Sequence, residues 1–144
     1  MTRIRIAALI VEEGKVLLVE HAKNQAHYWL LPGGGLETGE DMKATLVREL
    51  KEEIDLEIKA HDLVLVTEST SPDASRHIIQ MVFTASRQGE PRVTGQDERV
   101  AGVHWLDAET LSDRIFYPNM KGWVLDHLRD DDFGPAYMKL EWTP

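Results

Sequence analysis

Cysteine is absent from the 144 residues of this chain. That excludes disulfides, thiolate metal sites and a cysteine nucleophile. It agrees with a reducing cytoplasm, which is the compartment we expect. Long hydrophobic runs are missing too. The apolar stretch from Ile6 to Val11 is short and meets Glu12 and Glu13 directly, so it reads as a strand and not as a secretory signal. No segment is apolar enough to span a bilayer. Positive charge is in deficit: Lys and Arg number 16 against 25 Asp and Glu, a formal net charge of −9. Such a balance disfavours polymeric nucleic acid and anionic membranes as partners. A small anionic ligand is still allowed, because a bound divalent cation reverses the sign of a local site. The histidines, at 21, 27, 61, 77, 104 and 127, show no His-x-x-x-His spacing, so no zinc site is expected. No nucleophile-elbow pattern occurs either.

What is present fits one domain over 1–144, with 42% hydrophobic residues to build a core. Ile4, Ile6, Ala8 and Ile10 alternate with Arg5, Ala7 and Leu9. That pattern predicts a strand turning at Glu13-Gly14 into a partner, Lys15 to His21. Lys23 to His27 reads as a loop, and Tyr28 to Leu31 as a short strand stopped by Pro32. Gly33, Gly34 and Gly35 follow. Thr38 and Asp41 have capping-box-like spacing before a helix in which Val47, Leu50 and Ile54 form the apolar stripe. Leu56 to Thr70 and Arg76 to Ser86 read as strands around a Ser71-Pro72-Asp73 turn. After a polar loop, Gln88 to Gln96, come a strand, Val100 to Leu106, a short helix capped by Asp107, and a helix, Lys121 to Leu128. The run Asp130 to Asp132 is expected to end that helix. The tail from Phe133 reads as irregular, with Tyr137, Leu140 and Trp142 available for packing. The order of elements implies an α/β or α+β layer structure with a mixed sheet.

The chemistry concentrates in Arg48-Glu49-Leu50-Lys51-Glu52-Glu53. On a helix Glu49, Glu52 and Glu53 stand at i, i+3 and i+4 and share a face, where like charges oppose helix formation. A cation relieves that repulsion, and hard divalent ions prefer oxygen ligands. The competing reading is a solvated face of good helix formers.

The stretch Gly34 to Leu56, GGLETGEDMKATLVRELKEEIDL, resembles the Nudix box. Gly34, Glu40, Arg48, Glu49, Leu50, Glu52, Glu53 and Leu56 match at the required spacing, while Asp55 stands where the family has glycine. The resemblance implies a Nudix fold, a mixed β-sheet sandwiched between helices. It also implies a hydrolase of phosphoanhydride bonds in small nucleotides that uses Mg2+ or Mn2+. Ligands implied for the metal are Glu49, Glu52 and Glu53, with Glu40 and the backbone at Gly33 or Gly34. Arg48 is implied to pair with a glutamate of the box. An acid from a late loop, Glu98 with Asp97 in reserve, is implied as general base or extra ligand. A homodimer is common among similar proteins.

Asp55 can reach the left-handed conformation of a helix end at some cost, so a strained or differently ended helix is expected there. Substrate identity is open among oxidised nucleoside triphosphates, ADP-ribose, nucleotide sugars and related compounds. Pro72, sixteen residues past Leu56, is similar to a proline of ADP-ribose hydrolases but reads more readily as a plain turn residue of Ser-Pro-Asp. Arg5 and Arg76 are candidates for phosphates, as are Arg3 and Lys23. Tyr28 and Phe83 are candidates for stacking a base, as are Trp29 and Trp105. A nucleotide-binding regulatory module without turnover is the alternative function.

Overall fold

The structure, a computed structural model, describes residues 2–130 and 136–143. Its strands are β1 Thr2–Leu9, β2 Val11–Glu12, β3 Lys15–Lys23, β4 Ala26–Leu30, β5 Gly33–Gly35, β6 Glu57–Thr70, β7 His77–Gln88, β8 Val100–Asp107 and β9 Tyr137–Lys139. Its helices are α1 Met42–Ile54, α2 Ala108–Ser112 and α3 Lys121–Asp130.

One sheet runs in the order β5-β1-β7-β6-β9. The other is built around β3, which pairs with β2, β4 and β8. The arrangement is mixed: β1 is parallel to β7 and β6 to β9, and the remaining pairs are antiparallel. Alternate residues of β1 and β3 serve two cores. Ile6, Ala8, Leu17 and Val19 pack toward α1 with Leu46, Leu50 and Ile54. Ala7, Leu9, Val16 and Leu18 pack on the opposite side with Trp123, Val124 and Leu125 of α3. Burial on both faces explains why these strands are almost continuously apolar. The sheets are thus sandwiched between helices, as the resemblance implied.

Several local expectations need correction. The Glu13-Gly14 turn forms, with φ of 52° and 75°. It joins β3 to the two-residue β2, however, and not to the long first strand. β1 is held between β5 and β7, with both of its edges paired. The loop expected over Lys23 to His27 shrinks to Asn24-Gln25, two positive-φ residues between β3 and β4. The three glycines form β5, paired with Ala7, Ile6 and Arg5. The cap of α1 is Asp41 itself, accepting the Ala44 N–H at 2.7 Å. The apolar stripe of α1 is Leu46, Leu50 and Ile54, whereas Val47 is 41% exposed. Both sets have helical spacing; packing on the sheet selects the one that turns Glu53 inward. The tail contributes β9 and the buried Leu140. Asp131, Asp132 and Phe133 lie outside the described residues, and α3 ends at Asp130.

Candidate active site

Four carboxylates of the site lie on or just before α1, and one cation organises three of them. Arg48 forms a two-pronged pair with Glu40, at 2.8 and 2.9 Å. Its remaining terminal nitrogen reaches Glu49 at 3.0 Å and Glu52 at 3.2 Å. The Thr45 hydroxyl donates to Glu40 at 3.0 Å. Hydrogen bonds from Arg48, with help from Thr45, hold the Glu40 carboxyl down to about 2. A planar guanidinium that donates in several directions suits this task; an ammonium would not fix the same geometry.

Glu49 and Glu53 face β5. A Cβ added to Gly34 would lie 2.2 Å from Cδ of Glu49, so the missing side chain is the space the carboxylate occupies. A Cβ on Gly33 would lie 2.0 Å from the Ile6 carbonyl oxygen, so this glycine is required by strand pairing. Glu53 is buried, accepts a hydrogen bond from the Gly33 N–H, and leaves Oε1 without a partner. Burial pushes its carboxyl up to about 7, against the pull of Arg5 and the Gly33 N–H. Burial also raises Glu49, and Arg48 opposes it. Glu52 is the most open of the three, with 46% of its side chain exposed.

The helix ends as a glycine would end it. Asp55 takes φ 52° and ψ 36°. Its side chain then bonds Lys51 at 3.1 Å and Arg92 at 2.8 Å. The segment it holds caps the last carbonyls of α1. The Arg92 N–H donates to Ile54, and the Thr94 hydroxyl donates to Glu52 at 2.6 Å and Glu53 at 3.2 Å. Of the two endings expected, the strained one is found: a left-handed aspartate does the glycine's work and adds a tether.

A cleft of about 510 Å³ opens beside Glu49 and Glu53. Arg3, Arg5, Lys23, Arg76 and Arg99 line it, a concentration of positive charge in a chain of net charge −9. Arg5 donates to Gln80 and to the Leu31 carbonyl, each at 2.7 Å, and burial lowers its pKa. Arg76 is delivered by a turn that Asp73 organises: Asp73 Oδ1 accepts from Ser71, from the Ser75 N–H and from the Ser75 hydroxyl. Pro72 is exposed on that turn and does not line the cleft.

Of the substrate candidates, Arg5, Tyr28 and Arg76 line the cleft. Phe83 does not; it is 6% exposed and packs in the core beneath α1. Trp29 and Trp105 lie under Arg114 and Arg87. In the late loop Asp97 lines the cleft, paired with Arg99 at 2.8 Å, while Glu98 is exposed outside it. Sequence reasoning missed His21, Arg99 and Tyr117. Each reads locally as an ordinary strand or loop residue, and only the β3–β8 pairing and the chain turn before α3 bring them to the cleft.

Fold and site together define a class: a two-sheet α+β hydrolase whose acidic helix meets a cationic cleft at a glycine strand. The model of the NUDIX domain family matches residues 1–126, and the chain belongs to that family as a Nudix-type hydrolase. It is 32% identical over 99 residues to an ADP-ribose pyrophosphatase of Methanocaldococcus jannaschii, covering 68% of this chain and 59% of the archaeal one. A Mycobacterium tuberculosis protein provisionally named 8-oxo-dGTP diphosphatase 2 is 31% identical over 139 residues, 90% of each chain. Among solved structures, a MutT NUDIX hydrolase of Burkholderia pseudomallei matches with a TM-score of 0.73 at 25% identity, over 88% of this chain and 97% of that one. A NUDIX hydrolase of Nitrosomonas europaea, at 18% identity, shares the fold with a TM-score of 0.77 over 95% of this chain and 93% of its own.

Proposed function

We propose that this protein hydrolyses a phosphoanhydride bond of a small nucleotide, either a nucleoside triphosphate or a nucleoside diphosphate derivative, with Mg2+ or Mn2+. The observation that carries the reading is the meeting of Glu49 and Glu53 with Arg3, Arg5, Lys23, Arg76 and Arg99 in one cleft. Cations bind the phosphates, and carboxylates hold the metal that the phosphates share. The residues fit such an ion: Glu53 keeps a buried oxygen without a partner, and Glu49 is seated against Gly34. Glu49, Glu52 and Glu53 would hold it, with Glu40 and the Gly34 carbonyl in support. When bound, the ion offsets charge on the phosphoryl oxygens and makes water more acidic.

The remaining work falls to the chain. Arg48 orients Glu40, Glu49 and Glu52. The basic residues fix the phosphate chain, and Tyr28 with Tyr117 offers the base an aromatic wall. A water oxygen bonds to phosphorus, the bridging P–O bond breaks, and the proton passes to a carboxylate. We assign that last role to Asp97, because it lines the cleft and Glu98 does not. The products are a nucleoside monophosphate and a second phosphorylated fragment, or pyrophosphate from a triphosphate. The names of the relatives span both leading substrate classes, ADP-ribose-like compounds and oxidised triphosphates. The single domain over 1–144, the cytoplasmic location and a homodimer belong to the same proposal.

A panel of nucleotides, assayed with Mg2+ and with Mg2+ plus chelator, tests the reading. Turnover that stops with chelator is the expected result, and the product pair names the substrate class. Glu52→Gln and Glu53→Gln are expected to lower kcat by about a hundredfold or more while the folded circular-dichroism spectrum persists. Full rate in both variants removes these roles. Tight binding without turnover across the panel instead selects the regulatory module.

A further inference from the structure

We propose a second cation position, formed by His21, Glu53 and Asp97, that takes a borderline divalent ion of the Zn2+ type in preference to Mg2+. One ligand atom from each of the three residues lies within 4.8 Å of the others. The three come from β3, α1 and the loop before β8, which is why no local histidine spacing announces them.

One observation independent of the two carboxylates points to a ligand, and Glu53 itself supplies another. His21 is 4% exposed and its Nε2 has no partner, although it lines the cleft. Glu53 is 8% exposed and its Oε1 has no partner either. Buried polar atoms of this kind are costly unless something binds them. The other ring nitrogen of His21 is already engaged, 3.3 Å from the Tyr28 hydroxyl, and the two rings meet edge to face at 5.3 Å. A histidine held at one nitrogen and free at the other is how metal-binding imidazoles are oriented.

The backbone is shaped for this convergence. The β3–β8 register jumps from Glu20↔Gly102 to His21↔Val100, leaving Ala101 as an extra residue. A bulge at this point turns the incoming chain and re-aims side chains beside a site. The Ala22 N–H then donates to the Arg99 carbonyl at 2.9 Å, closing the loop that carries Asp97. Arg99 holds that carboxylate through its Nε, its terminal nitrogen and its backbone N–H. A carboxylate has about four lone-pair sites, so Asp97 retains acceptor capacity.

The donor set decides the ion. One imidazole nitrogen with two carboxylates suits Zn2+ and its neighbours, whereas Mg2+ favours oxygen alone. Arg5 and Arg99 face the cluster and oppose a cation there. The position is therefore expected to bind with three protein ligands and to keep open places toward the cleft. It shares Glu53 and Asp97 with the proposed hydrolytic site and adds His21, but it needs no turnover to exist.

The test uses chelator-stripped full-length protein, with Zn2+ alone and Mg2+ alone as probes. Calorimetry reads affinity, and 1H–15N spectra of the imidazoles read which histidine responds. Zn2+ is expected to shift the His21 ring signals, and Mg2+ to leave them unmoved. His21→Gln and, in the exposed loop, Asp97→Asn are each expected to weaken Zn2+ binding by about tenfold or more. Asp97→Asn guards against a folding defect in the buried His21 variant. Glu49→Gln is expected to leave the Zn2+ shift of His21 in place. Unchanged Zn2+ affinity in both the His21 and Asp97 variants overturns the proposal, as does a Zn2+ response confined to other histidines. The hydrolase reading is judged separately by turnover with Mg2+ in the wild type. Loss of one proposal therefore leaves the other standing.

Discussion

Gly33 and Gly34 are adjacent and both lack room for a Cβ, yet their reasons differ. At Gly33 the obstacle is the Ile6 backbone, and at Gly34 it is the Glu49 side chain. Gly33→Ala must therefore push two strands apart, and it is expected to cost about 1–3 kcal/mol in urea unfolding. Gly34→Ala has only a flexible side chain to displace. It is expected to keep near wild-type stability and to lose Mg2+ affinity, read by calorimetry, as the Glu49 carboxylate leaves its place. Equal destabilisation of both variants would show that Gly34 serves packing alone. Asp73 makes a second residue-scale case. Hydrogen bonds from Ser75 and Ser71 hold its carboxyl down to about 2, from 3.8. The folded form thus binds its proton less readily than the unfolded form. Its stabilising contribution is complete above the unfolded value and is lost as pH falls through the folded one. The gap in melting temperature between wild type and Asp73→Asn is expected to be widest at neutral pH and to close between about pH 4 and pH 2. A gap constant over that window would refute the assignment.

At the scale of elements, α1 is held by what lies beyond its end. Thr94 donates to the carbonyls of Glu52 and Glu53, two of the residues proposed to bind metal. The same loop continues to Asp97. Thr94→Val removes those bonds and is expected to cost about 1 kcal/mol in stability. It is also expected to lower kcat more than it raises KM, because the end of α1 and the loop lose their register together. Wild-type kinetics in Thr94→Val would mean that the loop is positioned by other contacts. Asp55, with its bonds to Lys51 and Arg92, belongs to the same latch. A glycine there would relax the backbone and release Arg92, two effects of opposite sign.

Across the whole molecule, acidity and basicity are sorted in space. Five basic residues converge on the cleft while the formal net charge is −9. A polyphosphate is thus attracted only locally, over distances that salt can screen; the Debye length is about 8 Å at physiological ionic strength. KM for the nucleotide identified by the panel is expected to rise steadily as NaCl is increased from low to molar concentration, with kcat changing less. A KM independent of salt would mean that the arginines are consumed by internal pairs. Arg99, bound to Asp97, and Arg5, bound to Gln80 and Leu31, show how far this has already happened.

The order of residues by itself determined the family, the acidic helix and most elements, because these rest on local rules. Helical spacing aligns Glu49 with Glu53, a glycine before a strand restricts what can follow, and apolar runs mark buried strands. Arg5, Tyr28 and Arg76 were legible as candidates on the same basis. Tertiary structure alone decided which strand β1 joins and which side of α1 is buried. It also sent Phe83 to the core and chose Asp97 over Glu98 for the cleft. Each of these depends on residues far apart in the chain. His21 is the sharpest instance: nothing near it in sequence is unusual, and its character comes from a bulged pairing with a strand some eighty residues later. Pairing of distant strands is a choice among competing registers, each burying a different face, and that comparison of whole arrangements is not written in any local pattern.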